Sequence, residues 1–179
     1  MRPHFLGVPD NSHWQLGVSG SITTFFAGAA QAATPAAPPQ FGTLFVGFLD
    51  VDLPNVETIN NSTFGTRVYA PITGGNLTDP TSGKLAATVL PGSADTGVIS
   101  NSGAFFPVVS LPLRWEVDQK LAYLHVTGIG KYFTSDLLYV HLETASETYS
   151  ALNSRFLVAN LTFVEGDESH PVLTVFGTV

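Results

Sequence analysis

From Phe41 onward the chain is a series of short apolar runs separated by turn residues every ten to fifteen positions. The runs are 42–53, 65–73, 83–90, 104–118, 121–129, 136–144, 155–164 and 171–178. Several alternate with a period of two. Leu113, Trp115 and Val117 interleave with Arg114, Glu116 and Asp118, and Leu138, Val140 and Leu142 interleave with Tyr139, His141 and Glu143. Successive side chains of a strand point to opposite faces, so this period marks strands with one buried face. No window sustains the 3.6-residue period of an amphipathic helix. The best helical stretch, 145–153, would make one or two turns. The fold expected is all-β: a single eight-stranded antiparallel calycin-like barrel, closed so that no edge strand is left exposed. Such a barrel is filled by its side chains or holds one small ligand, and a ligand cavity is expected here. Pro107 and Pro112 should break the run 104–118, leaving 113–118 as its regular part and 98–110 as a loop or lid.

Composition narrows the function. Hydrophobic residues are 44% and charged residues 12% of the 179, about half the usual charged share of ~25%, so the chain can bury a core. Its formal charge of −7, with only seven scattered Lys and Arg, argues against a nucleic-acid partner. Cysteine is absent, which removes disulfides, thiol nucleophiles and thiolate metal sites. The histidines show neither H-x-H nor H-E-x-x-H spacing, and no metal or other cofactor is expected. There is no phosphate-binding glycine loop and no G-x-S-x-G elbow.

Residues 1–40 read differently, as a signal-like leader and a Pro/Ala linker ahead of a barrel domain at 41–179. The apolar stretch 16–32 ends in Ala30-Gln31-Ala32, as a secretory cleavage site does, although Asp10 and a long amino-terminal region fit that pattern poorly. It is too short and interrupted for a good transmembrane helix, so no stable membrane insertion is expected. Asn60, Asn61, Asn76 and Asn160 each head an N-x-S/T triplet, consistent with a secreted glycoprotein. A homodimer is compatible with such a chain.

Several polar residues are candidates for chemistry. Asp95 follows the small residues Gly92-Ser93-Ala94 directly after a strand. It is either an acid at a pocket rim, its proton affinity raised by apolar walls, or a turn residue binding backbone N–H groups ahead of Gly97. Tyr139, His141 and Glu143 share one strand face. They form a proton-handling group if that face looks inward, and a solvated surface if Leu138, Val140 and Leu142 do. His125 shares a face with Tyr123. Arg114, beside Trp115, would hold an anionic oxygen if turned inward, and is otherwise an outward cation beside Glu116. Tyr149 and Asn153 lie four apart; they would either face a ligand carbonyl together or cap their own turn.

Three segments in order, YAPITGG over 69–75, GKL over 83–85 and VLPGSAD over 89–95, follow the pattern I-x-G-G, G-x-L, V-L-P-G-G-A-D. With Leu142-Glu143-Thr144, Tyr149 and Leu152-Asn153 downstream, the chain over about 42–178 resembles domain of unknown function family 3237. That resemblance implies a calycin-like barrel and places Asp95 in a family motif. It departs at Ser93, Thr96, Ala151 and the Asp118-Gln119-Lys120 turn, so a pocket lined there would be differently shaped. The family implies no settled activity. By fold-level analogy, fungal secondary metabolism uses small barrels as cyclases, isomerases and pericyclic catalysts. The expected function is a cofactor-independent cyclase or isomerase acting on a hydrophobic oxygenated metabolite, with Asp95, Glu143 and His141 catalytic. Tyr149, Asn153, Arg114, Trp115, His125 and Tyr123 would contact substrate. The alternative is a secreted, lipocalin-like carrier of apolar small molecules.

Overall fold

A computed structural model describes residues 36–178; the leader reading falls on residues outside these, apart from the last five of its linker. The chain forms strands β1 (Phe41–Val51), β2 (Glu57–Ser62), β3 (Gly65–Thr78), β4 (Leu85–Val89), β5 (Ser93–Asp95) and β6 (Val98–Ile99). They continue as β7 (Phe105–Phe106), β8 (Val108–Trp115), β9 (Leu121–Lys131), β10 (Ser135–Thr144), β11 (Leu157–Val164) and β12 (Asp167–Thr178). Two short 3-10 turns, Leu53–Asn55 and Ser150–Ser154, are the helical elements among the described residues.

The antiparallel pairings close a ring. From β1 the order runs through β12, β11, β10, β9 and β8, then through β4 and β5 to β3, which pairs back onto β1. β4 and β5 occupy one position between β8 and β3, so the barrel has eight staves, as the alternation predicts. The break between them is Leu90-Pro91-Gly92, where Gly92 has φ +107 and no ladder is continuous. β2 folds onto β3 as an outlying hairpin arm that the apolar runs did not reveal. Its residues are mostly exposed, so it carries no alternation to read.

Pro112 does not break its run: it lies inside β8, opposite Tyr123 of β9. Its carbonyl accepts Leu90 N–H (2.9 Å). In a strand the N–H of a residue points to the same side as its carbonyl, so the missing donor faces the interruption between β4 and β5, where little pairing is lost. The lid expected over 98–110 is accordingly short strand pairs, β6 on β7 and β7 on β9, followed by the start of β8.

Alternation decides the inside. Leu138, Val140 and Leu142 of β10, Leu111, Leu113 and Trp115 of β8, and Leu124 and Val126 of β9 are buried in one cluster with inward residues of the other staves. Trp115 is fully buried near the end of the barrel where β4 begins; its Nε1–H donates to Thr144 Oγ1 (2.8 Å) and its ring stacks on Tyr149 at 3.9 Å. Phe45 packs against both rings. Trp115→Phe removes that donor and part of the packing, while Thr144 keeps its bond to Leu121 O. It should lower stability by about 2 kcal/mol, read as a lower urea midpoint at unchanged slope.

Candidate active site

At the other end of the barrel two carboxyl groups lie among apolar side chains. Asp95 ends β5, opposite Ala70 of β3 and Val109 of β8. Its Oδ1 accepts the N–H of Gly97 (2.8 Å) and of Val108 (3.2 Å). Asp95 ties down its own turn, and it also borders a cavity lined by Leu49, Ile72, Tyr132, Phe133 and Phe163. Burial pushes its pKa up to about 6, against the opposing pull of the two N–H groups.

Asp136 is the second carboxyl, and no sequence motif marks it. It is 1% exposed, and neither oxygen has a hydrogen-bond partner among the described residues. It lies across from Gly130 of β9, where a Cβ would collide with the backbone oxygen of Ser135 and with Asp136 Oδ1, so the glycine leaves room for both the close strand and the carboxyl. Its neighbours in register border the same cavity: Leu161 stands opposite Asp136, and Phe105 opposite Gly130. Burial first, and the charge of Asp95 second, push its pKa up to about 7. Tyr132, edge-on to Phe105 at 5.0 Å, has its phenol pKa raised by the same two causes. The sequence signal for Asp136 was the alternation itself. Counting back by twos from Leu142, Val140 and Leu138 arrives at Asp136.

The cavity is partly open and measures about 40 Å³, room for about one water. Among the described residues the inward side chains of the staves pack as one buried cluster, and this space at the mouth stands where a ligand cavity was expected. A metabolite would have to enter by displacing the aromatic residues that close it.

The remaining candidates lie elsewhere. His141 and Glu143 are on the outer face, paired at 3.1 Å and exposed. His125 stands opposite His141, and Tyr123 opposite Glu143, on that same outer face. Ser110 Oγ lies 3.4 Å from His125 Nδ1. An open groove of about 790 Å³ runs along this surface, with Tyr123, His141, Glu143 and Asn153 among its walls. Arg114 points outward and donates to Gln119 O (3.0 Å). Asn153 is held by Thr144, accepting its N–H (2.7 Å) and donating to its carbonyl (3.0 Å). Trp115 and Tyr149 seal the far end. The structure thus brings Asp95 together with Asp136 and Tyr132, and separates it from His141 and Glu143. No cluster of three His, Asp or Glu among the described residues is arranged to hold a metal ion.

No protein-family model matches the chain, and no curated protein does. Solved structures share its fold. A protein of unknown function from Clostridium acetobutylicum is similar over 79% of this chain and all of its own, with a TM-score of 0.67 at 17% identity. A beta-barrel like protein from Acinetobacter baumannii is similar over 81% of this chain and all of its own, with a TM-score of 0.63 at 22% identity. An enzyme from Penicillium herquei is similar over 82% of this chain and 98% of its own, with a TM-score of 0.61 at 19% identity. At these identities the likeness establishes the barrel and nothing of the chemistry.

Proposed function

We propose that this barrel is a small-molecule enzyme that moves protons at its mouth, converting a hydrophobic oxygenated metabolite to an isomer or cyclised product. The observation that carries the reading is the buried, unpartnered carboxyl of Asp136, set behind Leu161 and Phe105 of the cavity that Asp95 borders. A fold gains no stability from leaving a carboxyl buried without partners, and groups kept at such cost cluster at functional sites. Two carboxyls of unequal proton affinity also divide the labour. Between about pH 6 and 7 Asp95 is mostly ionised and acts as base, while Asp136 mostly holds its proton and acts as acid. In an isomerisation Asp95 takes a proton from carbon next to a carbonyl, and the acid returns one at oxygen or at another carbon. No atom is gained or lost. Two further points support the reading: the resemblance to domain of unknown function family 3237, in whose motif Asp95 falls, and the likeness to an enzyme of the same fold. The packed interior disfavours the lipocalin-like carrier, which must enclose its ligand.

The test is to incubate the protein, without added cofactor, with metabolites extracted from its source and to follow products by chromatography and mass. A product with the mass of its substrate is expected. Double replacement of His141 and Glu143 by Gln should leave its rate unchanged and shift stability by less than about 1 kcal/mol, as for an exposed pair. A product that differs from substrate in mass would contradict isomerisation, and loss of activity in the double variant would move the site to the outer groove.

A further inference from the structure

The turn that closes the mouth is built against its backbone preference. Residues 131–134 join β9 to β10, and Thr134 N–H donates to Lys131 O (2.9 Å). Phe133, third in this turn, has φ +53. Turns with positive φ at the third position take Gly or Asn there, and a bulky side chain in that region is strained. The other non-glycine residues with positive φ among the described residues are Asn61 and Gln119, neither of them aromatic.

The strain secures the position of one ring. Phe133 lies against Tyr132 (4.3 Å between centroids, 45°) and meets Phe163 edge to face (5.2 Å, 85°). On its inner side is the cavity of about 40 Å³ that Asp95 borders. On its outer side is an open groove of about 420 Å³ lined by Leu53, Val56 and Glu168. Phe133 borders both spaces. The inner one is too small for a metabolite, so a ligand that reaches the carboxyls must displace something, and Phe133 is the side chain already held under strain.

We propose that Phe133 is a placeholder, its ring filling the slot in which an aromatic ring of the substrate stacks against Tyr132 and Phe163. This rests on the mouth being the active site and names its substrate class: a planar aromatic ring bearing a hydroxyl or carbonyl that points toward Asp95. A slot walled by tilted and edge-on rings suits an aromatic ligand better than a saturated one of equal size, because ring edges and faces carry opposite partial charge. Withdrawal of Phe133 with a shift of its turn out of positive φ relaxes the backbone, which offsets part of the packing that the ring gives up.

The probe is 2-naphthol, with its saturated analogue decahydro-2-naphthol as control. Binding is measured calorimetrically for the full chain and for Phe133→Gly and Phe133→Ala. Phe133→Gly suits the backbone, which offsets part of the lost packing, and should melt only slightly lower than the parent; Phe133→Ala serves if it does not fold. Either variant should bind 2-naphthol about tenfold or more tightly than the parent, with a much smaller gain for the saturated analogue. The NMR signals of Tyr132 and Phe163 should shift on binding. Equal naphthol affinity in parent and variant, an equal gain for the saturated control, or shifts confined to other residues would overturn the proposal. Adding Asp95→Asn to Phe133→Gly separates the two readings. Retained naphthol binding with lost turnover in the metabolite-extract assay supports both, and retained binding with retained turnover in that assay keeps the slot and removes the acid–base role. Lost binding on removal of Phe133 overturns the slot alone.

Discussion

Asp95→Asn should lower turnover by about 10²- to 10⁴-fold, the range for loss of a positioned general base, with KM little changed. The substitution is close to isosteric. The Asn carbonyl oxygen can still accept the N–H groups of Gly97 and Val108, so the turn and the pairing of β5 with β3 and β8 remain. Only the ability to take a proton is lost. The pH dependence adds a readout that a structural role would not move. Activity of the parent should rise with pH through about 6 as Asp95 ionises, and fall above about 7 as Asp136 gives up its proton. In Asp95→Asn the residual activity should lack the acidic limb. Turnover within threefold of the parent would remove Asp95 from the chemistry.

Asp136→Asn should make the barrel more stable at pH 8, and by much less at pH 5. The pKa of Asp136 is raised from 3.8 to about 7 by folding, so the native state binds its proton more tightly than the unfolded chain does. A group of this sign contributes fully below about pH 4, and that contribution is lost as pH rises to about 7, beyond which stability is flat. Between pH 5 and pH 8 the loss from Asp136 is on the order of 3 kcal/mol. Asp95 adds a smaller loss of the same sign, ending near pH 6. Asn cannot ionise, so the variant escapes the larger part, although its amide is as short of partners as the carboxyl was. Urea unfolding at the two pH values measures the difference. A parent equally stable at pH 5 and pH 8 would show that Asp136 is solvated. A site that gains stability when its acid is removed is the usual cost of keeping a reactive group in an apolar place.

The barrel was legible because β10, β9 and β8 each bury one face. Leu138, Val140 and Leu142 point inward as their alternation with Tyr139, His141 and Glu143 predicts. What reads poorly is anything set by the meeting of distant segments. Pro112 looked like a breaker because nothing local shows that its strand passes an interruption between β4 and β5. Asp136 stands in the alternation, yet next to Ser135 it resembles a turn residue, and its burial depends on Gly130 across the sheet. Tyr132 and Phe133 sit where a hairpin usually carries Gly or Asn; that anomaly was present in the sequence, but only the fold shows what the rings cover. Asp95 is the instructive case. TVLPGSADTG is one barrel stave broken at Pro91 and Gly92, and its acid both holds the turn and borders the mouth.

The proposed chemistry requires two carboxyls at the barrel mouth that hold protons into the neutral range. Carbon-13 NMR of the aspartate side-chain carboxyls, assigned with Asp95→Asn and Asp136→Asn, measures this directly without a substrate. Midpoints of about 6 for Asp95 and about 7 for Asp136 are expected, with the Asp136 midpoint falling when Asp95 is replaced and its charge removed. Midpoints for both groups near the ordinary value of 3.8 would contradict that chemistry.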